Sequence, residues 1–593
     1  MKHSLIQQSS YIFIMLAAFS ACSGGGTESG STVSQGSVYD IPNNDLGCPA
    51  DCRQVPWRAG SDQWNGGVLP PRSEEPCPGL TEGDGITDNS VAIQQCINRA
   101  GPGTAVKIPP GIYYVNDKIS LKSDITLRGS GGGAGSQGKW LSSTYSGDTA
   151  RLPPPPTTTT FKLGELGWIF AGSTSSNNFG LAKKIILGYT KGSSTLTMEA
   201  GHGFIVGDLL SVYEDNDPAI VTNVGDVGPC TWCGNNNGDQ TIQQFALVTA
   251  VRGQIITINR PLYYTYNASL NPSAQKLTVH VQRAGIEQIK LNGWSAIRKE
   301  AFVHFEQCLY CWASGIETYN APDCAKCNHV RIQYSHGVEV RDSFLHFGRG
   351  NSSDRNYGIS FFFWNSDHKI ENNILRHHRH SIVFEGGGSG TVVLYNYIDD
   401  NYTDDLTYLG SSRINHGAHP MMNLYEGNWV SHLMADSFFG SSSHITLFRN
   451  WLRGAESQIE LPQNPNNGFI AADIAKDQKY YSLVGNVLGV PDWISSGTVR
   501  NSGDCRVSEP VAYYYGCDST GGYDALTFNS MLTHGNYDYV SGSVAFWDGG
   551  SNHRLKNSMY YASRPAFFEN YAWPPFGPDL APMTQPLPAK DRF

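Results

Sequence analysis

A short motif recurs along the second half of the chain, and it constrains the fold more than any other feature. It consists of an apolar residue, two variable residues, an asparagine or serine, one variable residue and a second apolar residue. Its copies are Val340–Leu345, Ile370–Leu375, Val393–Ile398, Leu447–Leu452, Leu483–Leu488, Leu526–Met531 and Leu555–Tyr560, with a copy one residue longer at Leu424–Val430. Successive copies start 23 to 43 residues apart. This spacing fits stacked coils of about 22 residues that carry loops of different length.

The motif predicts how such coils are held together. No single coil can bury its apolar side alone, so coils stack and bury a continuous core. A buried asparagine needs partners for its amide, and a stacked asparagine or the local backbone can supply them. The positions expected to stack are Ser343, Asn373, Asn396, Asn428, Asn450, Asn486, Asn529 and Ser558.

The N-terminal part has the turns and the helix of an entry into such a solenoid. A turn at Gly83–Asp88 precedes a helical pattern over Val91–Ile97, with Asp88 as the expected N-cap. Strands are expected at Val106–Val115 and Ile119–Leu127. Short strands separated by glycine turns between residues 183 and 265 predict a β-rich insertion.

These sequence motifs resemble those of the pectate-lyase-like superfamily. The resemblance rests on Gly83–Asp88, Ala92–Gln94, Pro109–Tyr113 and Leu127–Gly129, and the stretch from Cys311 to Trp451 is similar to a subgroup of its bacterial and fungal members. It implies an all-β fold, a right-handed parallel β-helix with an N-terminal capping helix. Lyases, glycanases and phage tailspikes share this signature, so it implies the fold more strongly than the substrate.

The first residues predict export. An apolar stretch from Tyr11 to Phe19 has the length of a signal-peptide core and is too short to span a bilayer. Ser20-Ala21-Cys22 resembles a bacterial lipobox, which implies acylation of Cys22 and attachment to the outer membrane or cell surface. The glycine- and serine-rich residues that follow read as a flexible tether. The expected divisions are 1–21 signal peptide, 22–38 tether, 39–182 cap and first coils, 183–265 insertion, 266–565 main β-helix and 566–593 tail.

Charge and cysteine content narrow the partners. The chain has 593 residues and a net charge of −10, which argues against nucleic acid as a partner. Thirteen cysteines leave twelve once Cys22 is set aside, and export favours disulfides. Cys308/Cys311 and Cys324/Cys327 have a spacing that a zinc site could use instead. We expect a monomer that binds a polysaccharide and is held at the membrane by its lipid.

Histidine, arginine and aspartate concentrate between residues 354 and 460. If Tyr357–Phe363, His380–Glu385, Asp404–Leu409 and Asp436–Phe439 are successive rungs of one sheet, their polar side chains meet on its outer face, beneath a loop that carries His416 and His419. The candidate catalytic residues are His380, Asp404, Asp405, His416, His419 and Asp436. The candidate substrate-binding residues are Arg376, Arg379, His444 and Arg449. No metal ligands are assigned, although the aspartates could bind calcium.

Three functions fit these residues. A lyase acting on an acidic polysaccharide needs a base and cationic groups beside the uronate, and this β-elimination is the first expectation. A glycoside hydrolase would use two carboxyl groups instead. A non-catalytic glycan-binding or adhesion scaffold would more often display aromatic side chains without clustered titratable groups. The dense polar belt favours an enzyme.

Overall fold

The computed structural model describes Tyr39 and residues 53–592, with gaps at 82–84, 132–157, 174–178, 294–300, 326, 351–354, 402, 404–409, 411, 457–468, 502, 504, 506–509, 519–520 and 548–550. By internal contacts the chain divides into two units, Met1–Ser37 and Val38–Phe593. The first unit lies outside the described residues, as do the lipobox, Cys22 and the whole of the predicted tether. None of the helices described is long and apolar enough to cross a membrane.

The second unit is a right-handed parallel β-helix, as the sequence predicts. Each complete coil gives one strand to each of three parallel sheets. The first sheet contains Ser73–Pro76, Thr104–Lys107, Ile125–Arg128, Gly285–Glu287, Trp312–Ser314, Glu339–Arg341, Lys369–Glu371, Val392–Leu394, Leu424–Glu426, Thr446–Phe448, Ser482–Val484 and Leu532–Asp538. The second contains Gly111–Val115, Thr159–Leu163, Lys290–Gly293, Glu317–Ala321, Phe344–Gly348, Ile374–Arg376, Tyr397–Asp399, Trp429–Val430, Trp451–Leu452 and Val487–Leu488.

The third sheet carries the candidate site. Its strands are Lys118–Leu121, Trp168–Ala171, Ala301–Glu306, Asn328–His336, Tyr357–Ser366, His380–Glu385, Ser412–Gly417, Leu433–Ala435, Ile470–Ile474, Val511–Tyr515 and Thr498–Arg500. Short strands at Val281–Gln282, Cys308–Leu309, Gly388–Ser389 and Pro420–Met421 extend it, and Ser543–Phe546 pairs antiparallel with the last strand of the first sheet. Alternate side chains of all three sheets point inward and form one continuous apolar core.

An asparagine ladder runs through this core at the bend between the first and second sheets. Asn396 shows the pattern, because its Nδ2 donates to Asn428 Oδ1 (3.0 Å) and to the carbonyl of Ile370 (3.0 Å). The ladder consists of Ser343, Asn373, Asn396, Asn428, Asn450, Asn486 and Asn536. The prediction is confirmed for the first six. It is wrong for Asn529, which lies in a helix, and for Ser558, which lies in the C-terminal segment.

The residue before each ladder position has a left-handed backbone. Tyr395 (φ 54°) and Arg449 (φ 50°) adopt it despite their side chains, which costs about 1 kcal/mol each. Gly427 (φ 68°) is required for a second reason, because a Cβ there would lie 2.3 Å from the ring of Tyr395. The paired amides of the ladder fix this bend in the coils from Ser343 to Asn536.

The N-terminal helix caps the first coil. It spans Ser90–Arg99 and buries Ile93, Cys96 and Ile97 against the core. Its N-cap position is Asn89 rather than the expected Asp88, whose Oδ1 accepts instead from the backbone N–H of Ser90 (2.9 Å). The other helices are Ala525–Ser530 and Pro588–Asp591, and the 3-10 turns are Gly60–Gln63, Asn236–Gly238, Ala268–Leu270, Pro491–Trp493 and Ala566–Phe568.

The β-rich insertion is a closed antiparallel barrel. Its strands are Lys183–Leu187, Thr195–Met198, Leu209–Tyr213, Gln243–Arg252, Ile255–Ile258 and Ser273–Leu277. The last strand, Ser273–Leu277, lies wholly beyond residue 265, where the sequence places the boundary. A short ribbon, Val224–Gly225 with Gly228–Pro229, belongs to a long loop between two barrel strands.

Four disulfides occur in the described part of the chain, namely Cys77–Cys96, Cys230–Cys233, Cys324–Cys327 and Cys505–Cys517. Cys308 and Cys311 are buried thiols. Because Cys324 and Cys327 bond to each other, the two C-x-x-C pairs do not form one zinc site. Within the described ranges, no group of three or more His, Cys, Asp or Glu residues could hold a metal ion. Asp404 and Asp405, which suggested calcium, lie outside those ranges.

Candidate functional site

The outer face of the third sheet collects polar side chains from successive coils. The strands are in register, and neighbouring strands of a sheet lie about 4.8 Å apart. One outward row, read across the rungs, is His304, Arg331, Ser360, Val383, Arg413, Met434, Asp473 and Tyr514. The next row is Glu306, Gln333, Phe362, Glu385 and Gly417. Charged and aromatic groups that are far apart in sequence therefore share one surface.

His416, Asp436 and Arg413 form the centre of this surface. His416 Nδ1 lies 2.8 Å from Asp436 Oδ2 and 2.8 Å from Arg413 Nη1, and the guanidinium of Arg413 also contacts Asp436 Oδ2. Burial alone would raise the pKa of Asp436, but the charges of Arg413 and His416 outweigh it and lower the pKa to about 2. Asp436 is therefore ionised at neutral pH. The His416 side chain keeps 12% of its surface exposed.

Asp473 is a second buried carboxyl group on the same face. Burial raises its pKa to about 7, Arg413 opposes this and the negative charge of Asp436 adds to it. In the described part of the chain its nearest ionisable contact is His432, with Nε2 3.8 Å from Asp473 Oδ2. Two neighbouring carboxyl groups thus differ in protonation near neutral pH. That difference is what acid–base catalysis requires.

Aromatic rings line one side of the centre. His416 stacks on Phe438 (5.6 Å between centroids) and meets the edge of Phe439 (5.2 Å). Trp232, from the long loop of the barrel, lies edge-on to Phe439 (5.3 Å) and stacks on Phe362 (5.5 Å). We call Phe362, Trp232, Phe438 and Phe439 the aromatic wall. A wall of this kind offers apolar surface to the face of a sugar ring.

The barrel loop is fastened to the sheet beside His416. The N–H of Asp226 donates to the carbonyl of Ser437 (3.1 Å), and that of Ser441 donates to the carbonyl of Thr222 (2.7 Å). The side chain of Ser437 also donates to Asp226 Oδ2 (3.0 Å). The insertion is therefore part of the site.

The structure brings together some of the predicted site residues. His380 lies 6.4 Å from His416 between ring centroids, and Arg379 Nη1 lies 3.3 Å from His380 Nε2. Asp404 and Asp405 lie outside the described residues. The strand that follows His380–Glu385 in the sheet is Ser412–Gly417, where the sequence interpretation placed residues 404–409. His416 is on this strand, not on an overhanging loop as expected.

The remaining predicted residues lie elsewhere. His419 and His444 both contact the hydroxyl of Ser443 (2.7 Å each), and burial, the largest cause, lowers the pKa of each. Arg376 pairs with Asp400 (3.2 Å). Arg449 forms two bonds to Asp579 (2.7 and 2.8 Å) in the C-terminal segment. Their assigned roles stay predictions.

Sequence reasoning missed Arg413, Asp473 and Trp232. Arg413 and Asp473 each stand between inward-facing residues of a rung, in Ser412–Gly417 and Ile470–Ile474. That alternation could have identified them once the rungs were aligned. No sequence signal could have identified Trp232, because the loop reaches the site only through the packing of the barrel.

No family model matches the chain, and no curated protein matches it. Among solved structures, it is similar to the tailspike protein gp49 of Pseudomonas phage LKA1, with 16% identity and a TM-score of 0.48 over 76% of this chain and 64% of that one. It is also similar to the tailspike gp61 of Pseudomonas phage phi297 (13%, TM-score 0.48, 84% and 69%) and to the polygalacturonase of Erwinia carotovora ssp. carotovora (10%, TM-score 0.30, 71% and 94%). At these identities and TM-scores, the similarity does not indicate which reaction this chain catalyses, if any.

Proposed function

We propose that this chain cleaves glycosidic bonds of a polysaccharide on the outer face of its third sheet. The observation that carries the proposal is the pair Asp436 and Asp473, two buried carboxyl groups with opposite protonation beside His416 and the aromatic wall. Glycoside hydrolysis needs one protonated and one ionised carboxyl group. The aromatic rings supply the surface on which sugar rings stack.

The roles follow from the protonation states. Asp473 donates its proton to the oxygen of the leaving sugar. Asp436 removes a proton from the attacking water, whose oxygen bonds to the anomeric carbon as the glycosidic C–O bond breaks. Arg413 keeps Asp436 ionised, and His416 is held by the same carboxylate. Asp436 then releases its proton to solvent and Asp473 regains one, which returns both groups to their starting states.

The test is a screen of the purified chain on neutral and acidic polysaccharides, in which reducing ends and the ultraviolet absorbance of unsaturated uronates are followed together. We expect new reducing ends without the absorbance. Asp473→Asn should abolish the signal, and Asp477→Asn, which changes a half-buried carboxyl group four residues further along, should retain it. Binding without either product across the panel would reject catalysis and favour a glycan-binding scaffold.

β-Elimination on an acidic polysaccharide is the second candidate, and the contact between His416 and Asp436 favours it. A histidine oriented by a carboxylate can remove the proton next to a uronate carboxylate, and Arg413 could then neutralise that carboxylate. In the same screen this reaction produces the absorbance together with each new end. Hydrolysis is the better supported of the two because Arg413 is already paired with Asp436.

We also propose that acylation of Cys22 holds the mature chain at the bacterial surface. The proposal rests on the lipobox-like residues Ser20-Ala21-Cys22 and the tether that follows. Labelled palmitate should enter the wild-type chain and not Cys22→Ser. Export of the wild-type chain into the medium without label would overturn it.

A further inference from the structure

We propose that Trp232 of the barrel loop forms, with Phe362 and Phe439, a binding subsite for an uncharged sugar ring next to the catalytic centre. This inference rests on the proposed function, since it assigns a substrate class to the same site. Trp232 is half-buried, so part of its ring is accessible in the folded chain. Phe362 and Phe439 support the ring from two sides, by stacking and edge-on.

The loop is built to hold this ring in place. The disulfide Cys230–Cys233 brackets Trp232, and both of its cysteines are fully buried. A Cβ at Gly417 would lie 2.9 Å from Cys233 Sγ and 2.9 Å from the Trp232 ring, so only glycine lets the loop lie this close to the sheet. A tryptophan left on a mobile loop would lose entropy on each binding event, and a fixed one does not.

The charges nearby indicate an uncharged ligand. Arg331 lies over the ring of Phe362, with Cζ 4.1 Å from the centroid, and its Nε donates to Gln333 Oε1 (2.9 Å). Arg413 is paired with Asp436. Glu385 stands between Phe362 and Gly417 in the same outward row, so a uronate at this subsite would lie beside an acidic side chain, whereas a neutral pyranose needs only the apolar face of the rings. The class of substrate that fits is therefore a neutral polysaccharide.

Affinity electrophoresis of the full chain tests the subsite without requiring turnover. The gels contain galactomannan, xyloglucan or arabinoxylan, with polygalacturonate as the acidic comparison. We expect a neutral polymer to retard the wild type and Trp232→Ala to weaken this binding about tenfold, which corresponds to about 1.4 kcal/mol. Trp232→Phe should keep most of it. The control Trp547→Ala removes a tryptophan that is 40% exposed on the last coil, and it should bind as the wild type does.

The outcomes separate the subsite from the reaction. If the wild type binds a neutral polymer that it does not cleave, and Trp232→Ala loses this binding, the subsite stands while the proposed reaction falls. If cleavage occurs, Trp232→Ala should raise KM about tenfold and change kcat less than threefold. A loss of kcat at constant KM would mean that Trp232 only positions His416 through Phe439, and this would overturn the proposal. Equal binding by both proteins, or binding of polygalacturonate alone, would overturn it too.

Discussion

Two buried clusters of charged groups lie on different outer faces of this β-helix, and they are arranged in opposite ways. On the first sheet, Lys369 lies 3.0 Å from Asp62 and 3.3 Å from Glu371, and Arg341 lies 3.1 Å from Glu339. We call these five residues the clamp cluster. On the third sheet, Arg413 pairs with Asp436, and burial raises the pKa of Asp473.

The difference indicates which cluster can do chemistry. Burial would lower the pKa of Lys369, but Glu371 and Glu339 outweigh it and raise that pKa, so Lys369 keeps its positive charge. Burial raises the pKa of Glu371, and the charges of Lys369 and Arg341 oppose this. Tyr560 and Tyr561 from the C-terminal segment cover it and donate to Asp62 (2.5 Å) and to Glu371. The cluster on the third sheet has a group poised to exchange a proton near neutral pH. We therefore read the first as structural and the second as catalytic.

Asp473→Asn should give the largest effect on activity. The amide has nearly the shape of the protonated acid but cannot donate a proton to a leaving oxygen, so we expect kcat to fall about 10³-fold. Because Asp473 is neutral in the folded chain and its contribution to stability is full only near pH 4, stability measured at pH 4 should change by less than about 1 kcal/mol. Kinetics and urea unfolding of the same preparation measure both quantities. Retained turnover would remove Asp473 from the mechanism.

The pH dependence of stability should reveal the titration of Asp473. The folded-state pKa of Asp473 is raised to about 7, against about 3.9 for an unfolded aspartate. Its contribution to stability is full below about pH 4 and is lost as the pH rises through about 7. Asp436 has the opposite sign, since its contribution is present above about pH 4 and is lost as the pH falls through about 2.

Urea unfolding from pH 4 to pH 8 should therefore show a loss of stability that is smaller in Asp473→Asn than in the wild type. Equal slopes for the two proteins would mean that Asp473 titrates normally in the folded chain. The comparison between the two clusters would then lose its basis.

Glu371→Gln should lower stability and leave kcat nearly unchanged, which is the reverse of the effect of Asp473→Asn. It leaves Lys369 and Arg341 buried with one carboxylate fewer, and breaking a buried ion pair costs about 3 kcal/mol. The catalytic face is on another sheet, so kcat should stay within about twofold at a temperature where the variant is folded. A loss of kcat that matches that of Asp473→Asn would merge the two clusters into one functional unit.

The sequence predicts the scaffold well because the scaffold repeats. Six of the seven ladder positions follow from the motif, and the physical reason is that each coil of the ladder must satisfy a buried polar side chain at the same bend. Asn529 fails because a helix, Ala525–Ser530, occupies the place where a further rung was expected, and Asn536 takes the ladder position. A short apolar motif alone does not distinguish a helix from a strand.

The candidate site is harder to predict from the sequence because its residues do not follow a repeating motif. His416 and Asp436 were found from their polar surroundings, whereas Arg413 and Asp473 depend on the register between strands. Register fixes which side chains share a face, and loops of unequal length hide it in the sequence. Trp232 comes from an insertion whose contact with Phe362 follows from tertiary packing alone.

Asp579→Asn in the C-terminal segment should have the smallest effect on stability, and it tests whether an ion pair with one exposed partner contributes less than a buried one. Arg449 is buried, and its partner Asp579 is 41% exposed. Asp579→Asn should cost about 0.5 kcal/mol, because water screens the exposed carboxylate and the guanidinium keeps its bonds to the carbonyls of Lys556 and Phe576. Urea unfolding measures this, with Asp492→Asn as an exposed control. A cost above about 3 kcal/mol would mean that Arg449 depends on Asp579 as strongly as the clamp cluster depends on Glu371. Exposure of one partner would then not explain why one ion pair contributes less to stability than another.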